Sequence, residues 1–282
     1  MAFRTLISTD ALAARLGDPW FTIVDCRFKL DDVGWGEAEW KAGHIPGAVY
    51  AHLDRDLAGP QTGTNGRHPL PDVAVLARTF GHLGITSGRQ VVAYDQDNGM
   101  FASRLWWLLR WVGHDASAVL DGGLAKWVAE GRPLSVLEER NETVDFQPAP
   151  RADMMVNADE VALLRRDPGW RLVDSRAPER YRGEIEPMDP VAGHIPGAAN
   201  YFFQQNIDER GSFRTPEDLR AKFAPVIGGV PPERVVFYCG SGVQACQNLL
   251  ALEHAGVSGV KLYPGSWSEW CSDPSRPIDP PG

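Results

Sequence analysis

The stretch Val235–Ala255, VVFYCGSGVQACQNLLALEHA, runs from an apolar strand through a glycine-rich turn into an amphipathic helix. Val235, Val236, Phe237 and Tyr238 form the short β-branched and aromatic run expected of a parallel strand buried on both faces. Cys239 sits at the hinge, and Gly240 and Gly242 follow at once. Two glycines let the backbone fold tightly and turn several N–H groups toward one point, which side chains at those positions would hinder. From about Val243, the residues Cys246, Leu249, Leu250 and Leu252 suit a helix closed by Gly256 as a left-handed cap. The Cys239 sulfur is therefore expected at a helix N-terminus, where unpaired N–H groups and the positive dipole end favour a negatively charged sulfur. A cysteine after an apolar strand is by itself most often an inert core residue. A core cysteine has no need of Gly-Ser-Gly behind it, however, so Cys239 reads as a nucleophile.

The remainder of the chain limits what this nucleophile can serve. Its 282 residues are enough for two domains, each with its own core. Hydrophobic content of 43% and charged content of 23% match soluble domains, and no run of eighteen apolar residues could span a bilayer. The opening MAFRTLISTDALAARLGDPW lacks a continuous apolar core before a small-residue cleavage site, so a cytoplasmic location is expected. Cys26, Cys239, Cys246 and Cys271 form no Cys-x-x-Cys pair and do not cluster with histidine, which argues for reduced thiols and against a zinc site or a disulfide framework. A net charge of −9 argues against nucleic acid as a partner, because phosphate binding needs a basic face. An anionic substrate would need a local basic pocket.

Reading along the chain exposes a duplication. Ile23-Val24-Asp25-Cys26-Arg27 returns as Leu172-Val173-Asp174-Ser175-Arg176, and Gly43-His44-Ile45-Pro46-Gly47-Ala48 as Gly193-His194-Ile195-Pro196-Gly197-Ala198. Val91-Val92-Ala93-Tyr94-Asp95 returns as Val235-Val236-Phe237-Tyr238-Cys239, and a Gly-then-Trp pair closes both halves at Gly123 to Trp127 and Gly265 to Trp270. The repeat is far too long for a solenoid unit, so a whole domain was copied. Asp95 stands in the first copy where Cys239 stands in the second, so only the second can perform thiol chemistry. Short apolar strands alternate with helical segments such as Phe101 to Trp111 and Gln244 to Ala255, the pattern of an α/β domain with a mostly parallel sheet whose strand C-termini form the site. Trp106, Trp107 and Trp111 fall at helical spacing and read as core. A charged and proline-containing stretch places a linker at 135–158, between an N-terminal domain over 1–134 and a catalytic domain over 159–282.

Together these motifs, with Tyr263-Pro264-Gly265-Ser266-Trp267-Ser268-Glu269-Trp270, resemble the two-domain rhodanese and 3-mercaptopyruvate sulfurtransferase family over nearly the whole length. The resemblance implies a tandem pair of rhodanese-like domains and a Cys239 persulfide held by backbone N–H groups of Gly240, Gly242, Val243 and Gln244. Sulfane sulfur would come from a small anionic donor and pass to a thiol, such as thioredoxin or glutathione, or to cyanide. No metal or organic cofactor is implied.

The neutral Gly240-Ser241 pair resembles the mercaptopyruvate branch; the thiosulfate branch, with basic residues there, is the alternative. In the mercaptopyruvate branch a loop serine acts with a histidine and an aspartate, which match Ser241, His68 and Asp54. A lone loop histidine is otherwise usually just solvated, so this assignment rests on the resemblance and on the logic of an oriented base. The family's carboxylate-binding arginine matches Arg180, while Arg176, repeated as Arg27, reads as a structural ion pair. Met188 stands where that branch has a second arginine, and Gln244 replaces a threonine. Arg182 is a candidate replacement for the missing arginine, with an exposed surface arginine as its alternative reading. A cysteine phosphatase would need an arginine at the position of Ala245. A non-catalytic module with a Cys239–Cys246 disulfide is a further alternative, opposed by the inward placement expected for Cys246.

Overall fold

The computed structural model describes residues 2–279. Its contacts divide the chain into two units. The first contains residues through Gly59, Pro71–Arg151 and Ile207–Phe213; the second contains Pro60–Leu70, Ala152–Asn206 and the chain from Arg214 onward. Residues 135–151, expected to belong to a linker, run along the first unit. The Val144 N–H donates to the Gly81 carbonyl at 3.1 Å, the Arg151 N–H donates to the Trp111 carbonyl at 2.8 Å, and the Phe146 ring packs edge-on against Phe80.

In the first unit, β1 (Leu6–Ile7), β2 (Phe21–Asp25), β3 (Ala48–Tyr50), β4 (Gln90–Tyr94) and β5 (Ser117–Leu120) form a parallel sheet in the order β1-β5-β4-β2-β3. In the second, β6 (Arg171–Asp174), β7 (Ala199–Asn200), β8 (Val235–Tyr238) and β9 (Lys261–Leu262) are parallel in the order β7-β6-β8-β9. This is the order of the first sheet without its outer strand, whose place is marked by a single parallel bridge from Met155 to Leu262. β4 and β8 are buried along their whole length, as expected of central strands covered by helices on both faces. One core gathers Ile7, Ile23, Val92, Tyr94, Leu120 and Trp127. The other gathers Val161, Leu172, Ile195, Val236, Tyr238 and Trp270.

The repeated motifs are scaffold. Arg27 pairs with Asp25 at 2.7 Å and donates to the Gly43 carbonyl at 2.8 Å; Arg176 pairs with Asp174 at 2.6 Å and donates to the Gly193 carbonyl at 2.7 Å. Each arginine thus ties a strand end to the Gly-His-Ile-Pro-Gly turn, and both pairs are buried. A buried ion pair persists only when its hydrogen bonds are satisfied, which these carbonyls help to achieve. The closing tryptophans also match, with Trp127 Nε1 donating to the Pro133 carbonyl and Trp270 Nε1 to that of Pro277. Trp106, Trp107 and Trp111 lie buried on the helix Met100–Trp111.

Candidate active site

At the C-terminal end of β8 the chain turns through Cys239-Gly240-Ser241-Gly242-Val243 into the helix Gln244–His254. Gly242 has a φ of 77°, and a Cβ there would lie 2.3 Å from the Pro264 carbonyl oxygen, so only glycine fits. This turn brings the Gly242 N–H to 3.2 Å from Cys239 Sγ. Cys239 is buried, and the helix that follows directs its N-terminal end at the loop. Cys246 is also buried and donates through Sγ to the Gly242 carbonyl at 3.2 Å, which faces it inward and braces the loop from behind. Val243 is buried beside it, and Gln244 opens the helix.

The loop backbone is held by the helix Ser266–Trp270. The Trp267 and Ser268 N–H groups donate to the carbonyls of Cys239 and Gly240 at 3.0 and 2.9 Å. In return, the Cys239 N–H donates to Ser266 Oγ at 3.1 Å, and that hydroxyl donates to the Tyr263 carbonyl at 2.9 Å. Among the described residues Ser266 is the non-glycine with positive φ, at 57°. An L-residue there is strained, and its hydroxyl is what receives the nucleophile's own N–H.

Ser241 Oγ lies 2.6 Å from His68 Nδ1, and both side chains are buried. Pro60–Leu70, which carries this histidine, belongs to the second unit, so hydroxyl, imidazole and thiol share one compact body. Asp54 belongs to the first unit, in the short helix Leu53–Asp56, where its N–H donates to His52 Nδ1 at 3.1 Å.

Arg180 reaches the loop already paired. Its Nη2 donates to Glu186 Oε1 at 2.6 Å and to Asp189 Oδ2 at 3.2 Å, and both acids are nearly inaccessible. Burial pushes the Asp189 carboxyl upward, opposed by the neighbouring arginines. Arg182 does not join this group. It is engaged by Glu184 at 2.6 Å on the surface, a pairing between residues two apart on an exposed turn. Met188 is exposed as well. The second guanidinium beside the loop is that of Arg67, which pairs with Asp189 Oδ1. A Cβ at Gly240 would lie 2.8 Å from Arg67 Nη2 and 3.5 Å from Arg180 Nη1, so glycine there leaves room for both. The absence of basic residues from the loop sequence therefore does not leave it without guanidiniums; they arrive from distant segments, paired with Glu186 and Asp189. Burial raises the Cys271 thiol to about 11, which leaves it protonated near neutrality.

Arg67, Ser266, Glu186 and Asp189 escape the sequence reading. For Ser266 a signal existed in the duplication. It stands four residues before Trp270, as Gly123 stands four before Trp127, and Gly123 has the same φ of 57°. For the other three no local pattern distinguishes them from solvated charges.

In the first unit the corresponding turn holds Asp95. Its carboxylate accepts from the N–H groups of Gly99 at 2.9 Å, Phe101 at 2.8 Å, and Asp97 and Ala102 at 3.2 Å. The backbone donors at the start of the helix Met100–Trp111 are thus taken up by the chain's own anion. Burial nevertheless raises this carboxyl to about 6.

A model of the rhodanese-like domain matches twice, over residues 8–130 and 157–273. The chain belongs to the rhodanese-like family. It is 46% identical over 280 residues to the Pseudomonas aeruginosa protein named "Probable 3-mercaptopyruvate sulfurtransferase", covering 99% of each chain. It is 33% identical to the thiosulfate sulfurtransferase of Cricetulus griseus, covering 95% of this chain and 92% of that one. Among solved structures it is similar to SseA from Escherichia coli, described as a 3-mercaptopyruvate sulfotransferase. That match has a TM-score of 0.82 and 30% identity and covers 94% of this chain and 99% of that one. Both rhodanese-like copies are α/β domains with parallel sheets flanked by helices. Among the described residues no group of three or more His, Cys, Asp and Glu side chains is placed to hold a metal ion, and no helix is long and apolar enough to cross a membrane.

Proposed function

We propose that this protein is a sulfurtransferase that takes sulfane sulfur from 3-mercaptopyruvate onto Cys239 and passes it to a thiol or to cyanide. The observation that carries the reading is Cys239 Sγ in a glycine-shaped turn at a helix N-terminus, followed two residues later by a hydroxyl 2.6 Å from an imidazole. In the first half-reaction the Cys239 thiolate attacks the donor's sulfur. The S–S bond forms as the C–S bond breaks, and the bonding pair passes to the donor carbon as the enolate of pyruvate, which takes up a proton. The Ser241 hydroxyl, oriented by His68, stabilises the developing enolate oxygen. Backbone N–H groups at the helix N-terminus stabilise the persulfide anion that remains. In the second half-reaction the acceptor attacks the outer sulfur, and the S–S electron pair returns to Cys239 as thiolate.

Thiosulfate is the second donor, with sulfite as the leaving group; it is favoured by the two guanidiniums beside Gly240 and opposed by the carboxylates that already pair with them. Thioredoxin and glutathione are the proposed thiol acceptors, in the cytoplasm.

Incubation with 3-mercaptopyruvate should add the mass of one sulfur atom at Cys239, cyanide should remove it, and Cys239→Ser should abolish turnover. Substantial turnover in that variant would overturn the mechanism. A wild-type specificity constant higher for thiosulfate than for 3-mercaptopyruvate would overturn the choice of donor.

A further inference from the structure

Next to the cysteine loop lies a partly buried charge cluster: Arg67, Arg176 and Arg180 with Asp174, Glu186 and Asp189. Arg176 is consumed by Asp174 and Glu186, at 2.6 and 3.2 Å. Arg67 and Arg180 differ from it in facing the residue that follows the nucleophile, with Nη2 of one and Nη1 of the other at 2.8 and 3.5 Å from the site of a Gly240 Cβ. They stand side by side because one carboxylate holds both, Asp189 Oδ1 on Arg67 and Oδ2 on Arg180. Arg67 also carries a buried Nε with no hydrogen-bond partner among the described residues. A buried guanidinium N–H without an acceptor is costly, and an anion placed beside it removes that cost.

We propose that Arg67 is a donor-binding residue that receives the donor's anionic group together with Arg180, and that Asp189 is the positioning residue that sets the pair and limits the positive charge it offers to a donor. Asp189 and Glu186 offset the positive charges facing Gly240, so a donor carboxylate is held by directed guanidinium N–H groups rather than by a surplus of charge. A dianion entering the same site meets about twice the repulsion from Asp189 that a monoanion meets. The inference rests on the persulfide reading of Cys239 and extends it to donor selection.

The test compares wild type, Arg67→Met, Arg67→Lys and Asp189→Asn with 3-mercaptopyruvate and thiosulfate as donors. Pyruvate serves as a competitive inhibitor, whose binding requires no chemistry. Arg67→Met should raise both the KM for 3-mercaptopyruvate and the inhibition constant of pyruvate about tenfold or more, with a smaller change in kcat. Arg67→Lys keeps the charge and loses the fork, so the pyruvate constant should rise a few-fold; this variant carries the test if Arg67→Met does not fold. Asp189→Asn should raise the ratio of thiosulfate to 3-mercaptopyruvate specificity constants about tenfold, whereas a purely structural role would depress both together. An unchanged pyruvate constant in the folded Arg67 variants, or an unchanged ratio in Asp189→Asn, overturns the inference. Failure of wild-type Cys239 to take up sulfur from either donor would instead defeat the underlying function, so the two failures are distinguishable.

Discussion

Ser266 offers a measurement in which hydrogen bonding and backbone strain act in opposite directions on one residue. Its hydroxyl accepts the Cys239 N–H at 3.1 Å and donates to the Tyr263 carbonyl at 2.9 Å, while its backbone sits at a φ of 57° in a fully buried position. Ser266→Ala removes both bonds and keeps the strain. Leaving a buried N–H without an acceptor costs about 1–3 kcal/mol, so a loss near 2 kcal/mol is expected. Ser266→Gly removes the same bonds but relieves a left-handed conformation worth about 1–2 kcal/mol to an L-residue. The usual helical advantage of alanine does not apply at positive φ, so the glycine variant should be more stable than the alanine variant by about 1 kcal/mol. Urea unfolding should therefore order the proteins as wild type, Ser266→Gly, Ser266→Ala, with kcat lowered in both variants because the Cys239 backbone loses its anchor. The first copy provides the control. At Gly123 a Cβ would lie 2.8 Å from the Asp97 carbonyl oxygen and 2.9 Å from that of Asp95, so Gly123→Ser should destabilise. An alanine variant as stable as wild type would refute the anchoring bond, and one at least as stable as the glycine variant would refute the strain.

If Ser241 assists departure of the pyruvate enolate, Ser241→Ala should lower kcat with 3-mercaptopyruvate about tenfold or more and affect thiosulfate much less; equal losses with both donors would remove the hydroxyl from that step. Asp95 should shape the pH dependence of stability, because its carboxyl is raised from 3.8 to about 6 in the folded chain. The folded state then retains a proton that the unfolded state releases, so this group's contribution to stability falls as pH rises through about 4 to 6, by ~3 kcal/mol in total. Asp95→Asn should erase that slope in urea titrations while leaving sulfur transfer near wild type. Parallel profiles for the two proteins would refute the raised carboxyl, and lost transfer with unchanged folding would refute the division of labour between the copies.

Sequence alone determined the features whose causes are local or repeated. The strand–Cys239–glycine turn–helix is legible because burial, backbone freedom and capping each leave a mark within a few residues, and the observed helix Gln244–His254 begins where those marks place it. The duplication separated scaffold from chemistry: Arg27 and Arg176 recur because both copies need the same strand-to-turn tie, whereas Cys239 has only Asp95 as its counterpart. Tertiary structure decided the charge around the nucleophile. Arg67 and Asp189 lie far from Cys239 along the chain, on segments with no periodicity, where an ion-pairing side chain and a solvated one look alike. Hence the loop read as neutral although two guanidiniums stand over Gly240, and Arg182 read as a candidate although Glu184 holds it at the surface. A hydrogen-bond turn is written in consecutive residues, but an electrostatic field is a sum over whatever folding brings near, and only the folded chain states that sum.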